Sequence, residues 1–185
     1  MEQALIFASI IVGVAVSDQI LSFNRLLRAD SPVRWHWALP LTALLILLTN
    51  VQIWWSLAGE RTEKVSIGEF LPDLVQLIMV ALLSAASLPD KVDEDGIDLQ
   101  QYYDRHARYI WILFALSLSW AELVAFVSAL NHDESLIDLF DNRSIDLVAI
   151  GVMVGLAFVR RWWLVAIGVA FLSLGPISWL SRTLN

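Results

Sequence analysis

Apolar positions in this chain fall into six runs separated by short polar connections. They are Ala4 to Phe23, Trp37 to Leu57, Phe70 to Leu88, Tyr109 to Ala129, Ile145 to Phe158 and Trp162 to Leu180. Most approach the roughly 20 residues needed to cross about 30 Å of hydrocarbon at about 1.5 Å per residue. The pattern predicts an all-α, polytopic transmembrane bundle of six spans. Residues 1–185 form one domain, because no connection is large enough to bury a core of its own. The fifth run is short. Either its helix begins nearer Asp138, or the stretch from Ser135 to Asn142 lies along the membrane interface.

The nine tryptophans sharpen this picture. Trp35, Trp37, Trp111, Trp162 and Trp163 fall at one end of the runs and Trp54, Trp55, Trp120 and Trp179 at the other, as two aromatic belts would. Lys and Arg set the orientation. Arg25, Arg28, Arg34, Lys91, Arg105, Arg108, Arg160 and Arg161 lie on one side, against Arg61, Lys64, Arg143 and Arg182 on the other. The more basic side is cytoplasmic, which puts both termini outside. No basic residue precedes Arg25, so the first run reads as a retained span rather than a cleaved signal.

The formal charge is −7, and it is concentrated in Asp90, Asp93, Glu94, Asp95 and Asp98 of the third connection. Such a balance argues against nucleic acid or anionic lipid as the main partner, since each needs a clustered basic surface. The chain contains no cysteine, which excludes disulfides, thiolate metal sites, iron–sulfur clusters and thiol nucleophiles.

Polar residues within spans are the remaining pointers, because a charge at the centre of a span costs about 2.5–3.5 kcal/mol. Asn50 and Gln52, Asp73 and Gln76, Glu122, and Asp146 lie on four successive runs, all in the outer half. Glu69, Asp73 and Gln76 share one helical face that continues through Val80, Ser84 and Ser87. With no basic residue placed in that half of any run, the carboxylates of Glu122 and Asp73 are expected to hold a cation or proton, with Asn50, Gln52 and Gln76 as neutral ligands. At the inner end Asp18, Ser22 and Arg25 also share a face, a candidate inner gate or anchoring pair. Ser9, Gly13 and Ser17, and again Gly151 and Gly155, recur every four residues. Such stripes let helices pack closely, within the bundle or in a homo-oligomer.

Several chemistries are excluded. Both lysines lie in connections, so no Schiff base can form within a span. His36, His106 and His132 lie at or beyond run ends, which leaves no pair to ligate a membrane haem. Aligning Gly96 to a calcium-binding EF-hand loop puts Lys91 first and Tyr102 last, where carboxylates are required. No nucleophile elbow, zinc-protease or phosphate-loop motif occurs. The chain is therefore expected to be no enzyme, with no cofactor and no metal site.

Gln52, Trp54 and Trp55, with the Pro89-Asp90 loop that runs into Tyr102, Tyr103 and a basic start to the fourth run, resemble small multi-spanning membrane proteins of bacteria with no assigned activity. The resemblance covers most of the chain. It implies the plasma (inner) membrane and no substrate. The reading that follows is a small channel or transporter for cations or protons, in contact with the lipid bilayer. Its alternative is a non-transporting module that binds a partner protein or lipid through the acidic cytoplasmic loop and the Tyr102 to Arg108 segment.

Overall fold

A computed structural model describes residues 2–59, 67–131 and 136–180. Six α-helices run through them: α1 (Glu2–Leu27), α2 (Ala38–Gly59), α3 (Ile67–Ser87), α4 (Leu99–Asn131), α5 (Leu136–Leu156) and α6 (Trp162–Leu180). The chain is all-α, and five of these helices are long and apolar enough to cross a membrane. Their outer surfaces say the same. Ile10, Val14, Leu44, Ile78, Leu82, Leu116, Val148, Ile167 and Leu174 all stand exposed, a continuous apolar coat that water would penalise and lipid accepts.

Two helices begin well before their apolar runs. α4 starts ten residues before Tyr109 because the Asp98 carboxylate accepts the backbone N–H groups of Gln100 (2.9 Å) and Gln101 (3.1 Å), a capping arrangement that polar sequence can supply outside the bilayer. The resulting 33 residues span roughly 50 Å. The first turns therefore project beyond about 30 Å of hydrocarbon. α5 begins at Leu136, so of the two possibilities for the fifth run it is the early helix start that occurs. That start places Arg143 two turns inside a helix instead of in a connection.

α2 is the central helix. It packs against α1, α3, α4 and α6, while α1–α3, α3–α4, α4–α5 and α5–α6 contacts form an open arc around it. The main core joins α2 to α4, α5 and α6 through Leu39, Ile46, Ile110, Trp111, Met153 and Val169, and a smaller one joins α1 to α3 through Ala8, Val12 and Leu77. α5 and α6 approach closely at Gly168, where a Cβ would stand 2.8 Å from the Leu156 side chain. The small-residue stripes behave differently. A Cβ at Gly13, Gly151 or Gly155 would meet nothing within 4 Å, so these glycines face outward and bring no two helices of this bundle together.

Trp111 also departs from the belt reading. It is fully buried, and its Nε1 donates to the Tyr103 hydroxyl at 2.8 Å. At the opposite helix ends the Trp55 ring meets Trp54 at 6.0 Å and Trp179 at 6.3 Å.

On the side carrying most arginines, the α1–α2 and α3–α4 connections are tied by a short parallel pair, β1 (Val33–Arg34) and β2 (Ile97–Asp98). Ile97 N–H donates to the Pro32 carbonyl at 3.1 Å. Gly96 makes the turn at φ 91°, with Pro32 O only 2.2 Å from where a Cβ would be. Gly96→Ala should therefore strain the turn by roughly 1–2 kcal/mol from the backbone conformation alone and separate the strands. Limited proteolysis of residues 88–98 should speed up, while the thermal transition of the helices, followed by circular dichroism, should barely move.

Candidate functional site

Helices α1, α2 and α3 meet along a row of buried polar side chains. The Gln19 amide of α1 donates to the Ala43 carbonyl of α2 at 2.6 Å and to Ser87 Oγ of α3 at 3.1 Å. Ser87 in turn donates to the Ser84 carbonyl at 2.7 Å. The Asn50 amide of α2 donates to Ser84 Oγ at 2.7 Å and back to Ile46 O at 3.1 Å. At the end of the row nearest the α3–α4 connection Ser22 Oγ makes a long contact to Asp90 Oδ1 at 3.4 Å, and Arg25 donates to the Asp90 backbone carbonyl at 3.2 Å. Gln19, Ser22, Asn50, Ser84 and Ser87 are each at most 4% exposed. In hydrocarbon such groups are tolerated only when they find partners on neighbouring helices.

Further out, on the same face of α3, the Gln76 amide donates to Ser117 Oγ of α4 at 2.9 Å. Val80 lies midway between Gln76 and Ser84 and is only 1% exposed. An apolar layer therefore separates two polar levels. The amide oxygens of Gln19, Asn50 and Gln76 are all buried and, among the described residues, accept no hydrogen bond.

The acidic residues at the other end of the bundle are arranged otherwise than the sequence suggests. Arg143 of α5 donates to Glu122 Oε2 of α4 at 2.8 Å, with the two side chains 36% and 16% exposed. The expectation that no arginine balances Glu122 is thus corrected: the early start of α5 delivers one. Asp146 stands one turn along α5 from Arg143 and lies within electrostatic range of both members of the pair. Asp73 is half-buried on α3, one turn out from Gln76; the side chain of Glu69 lies outside the described residues. Nearby, Trp120 Nε1 of α4 donates to the Pro72 carbonyl at 3.0 Å, and Trp54 Nε1 of α2 donates to Ser9 Oγ of α1 at 2.9 Å.

Of the residues singled out from sequence, Asn50 and Gln76 join the interior polar face, as Ser84 and Ser87 do. Gln52, two residues beyond Asn50, points about 200° round α2 and is half-buried away from that row. Asp18 and Arg25 do not pair. Arg25 reaches Asp90 instead, and Asp18 is half-buried beside Gln19. Ser17 is exposed on α1. Sequence reasoning passed over Gln19, although a lone amide one turn inside an apolar run is itself a signal, and it placed Arg143 in a connection where the structure has it within α5. No protein family, curated protein or solved structure matches the chain.

Proposed function

We propose that this protein is a small channel or transporter for cations or protons in a bacterial plasma membrane, with both termini outside. The observation that carries the reading is the buried polar row of Gln19, Ser87, Ser84 and Asn50, continued beyond Val80 by Gln76 and Ser117. Three of its amide oxygens accept no hydrogen bond among the described residues, and neutral oxygens within a bundle are what a partly dehydrated cation or a file of water uses. Val80 then acts as an apolar constriction of the kind that gates by excluding water. Asp73 and Asp146 supply acidic character at the outer end, and the Glu122–Arg143 pair frames it. Asp90 receives the row at the inner end. The outward-facing stripes of α1 and α5 are the faces through which copies would associate.

Purified protein in liposomes provides the test, with cation and proton flux measured over a series of pH values. Wild-type flux should exceed that of empty liposomes. Asn50→Leu should reduce it at least tenfold, Asp73→Asn should weaken it, and Val80→Ser, which replaces the apolar layer with a hydroxyl, should raise it. Wild-type flux at the empty-liposome level, with the protein folded and inserted, overturns the reading.

A second reading draws on the ordered cytoplasmic connections. β1 and β2 hold a cleft of about 370 Å³ lined by Pro32, Arg34, Asp95, Gly96, Ile97, Asp98 and Gln101, a shape suited to a partner protein. Absence of flux would favour it.

A further inference from the structure

The cytoplasmic face divides its charge. The acidic connection is gathered beside β1 and β2, where Arg34 meets Asp98 at 3.9 Å and Arg25 meets the Asp90 carbonyl. A second group of charges, around the α5–α6 turn, is basic. Arg108 of α4 stacks over the Phe158 ring at 5.1 Å, which brings the projecting base of α4 against the α5–α6 turn. Arg105 lies one turn before Arg108, and Arg160 and Arg161 follow Phe158 by two and three residues. Four arginines from two distant parts of the chain thus share one edge. All four are exposed, and among the described residues none pairs with a carboxylate. Asp104 is the one acidic residue within the same turn of α4, so the edge keeps a clear positive excess.

Depth gives this edge its meaning. α4 projects about ten residues past the start of its apolar run, which sets Arg105 and Arg108 at headgroup level. Trp162 and Trp163, 64% and 45% exposed, mark the same level on α6, because indoles settle at the interface. α6 also begins here with no acidic residue in its first turn, so its free N–H groups add to the positive field. Guanidinium groups hold phosphate oxygens in pairs.

We propose that Arg105, Arg108, Arg160 and Arg161 form a docking site for the phosphate headgroup of an anionic phospholipid in the adjacent leaflet. The overall charge of −7 argued against such a partner only while the arginines were counted along the chain; folding collects them. The site is independent of whether the bundle conducts ions.

Native mass spectrometry of the full chain, released from nanodiscs of mixed phosphatidylcholine and cardiolipin, tests this. Wild-type protein should retain cardiolipin in preference to phosphatidylcholine. Arg108→Gln with Arg160→Gln should lower that preference roughly 30-fold, the weight of two interfacial arginines. Arg28→Gln, on the same side of the membrane but at the end of α1, should leave it unchanged. Arg108→Lys with Arg160→Lys, which keeps the charge and removes the planar fork, should retain part of it and covers the case in which the glutamine pair fails to fold. Equal loss in the Arg28 variant, no preference in the wild type, or displacement of the lipid by excess inorganic phosphate would each overturn the site.

Discussion

Replacing Trp111 with alanine should lower the unfolding free energy by about 3 kcal/mol, measured by titrating the purified protein from mild detergent into dodecyl sulfate. Trp111 is fully buried where α4 meets the main core, stacked on Phe114 with ring centroids 6.2 Å apart and bonded to Tyr103 Oη. Large-to-small changes at such sites cost about 3–5 kcal/mol in water-soluble cores. Within a bilayer the transfer from water contributes less, so the lower end applies and most of the loss is packing. Trp111→Phe separates the two components. It keeps most of the ring volume and removes the N–H donor, so it should cost about 1 kcal/mol, near the net worth of one hydrogen bond. If the alanine variant were no less stable than the phenylalanine variant, Trp111 would be an interface anchor after all and not a core residue.

The second large effect concerns Glu122 and Arg143. Removing one member of a buried ion pair typically costs about 3–5 kcal/mol, because the other charge is left without compensation. Arg143 is about one-third exposed and its long side chain can reach toward the interface, so about 2–3 kcal/mol is expected for Glu122→Gln or Arg143→Gln alone. The double variant should recover most of that loss, since no isolated charge remains. A double-mutant cycle in the same unfolding assay reads the coupling directly. Additive single losses would mean that the 2.8 Å contact carries no stability. The cycle also bears on flux: a fall in transport for Glu122→Gln counts as evidence for an acidic pathway only where the double variant, folded as well as wild type, remains impaired.

The α3 face shows how far sequence reaches. Gln76, Val80, Ser84 and Ser87 were assigned to one face by helical spacing alone, and all four are half-buried or buried within the bundle. That inference works because spacing along a single helix fixes direction and polar groups avoid lipid. The exposed glycines of α1 and α5 mark the limit. Four-residue spacing identified a small-residue stripe, yet whether another helix lies against it depends on how the bundle is arranged: Ser9 meets Trp54 of α2, while nothing lies against Gly13, Gly151 or Gly155 among the described residues.

The sequence by itself determined an all-α chain with six helices, the apolar coat and the polar face of α3, because each follows from composition and periodicity within one segment. Only the tertiary structure decided that Arg143 meets Glu122, that Gln19 bridges α2 and α3, that Trp111 lies inside, and that Arg108 joins the α5–α6 turn. The physical reason is common to all four. Each depends on which helix faces which, and that is set by packing and by where each helix starts and ends rather than by distance along the chain.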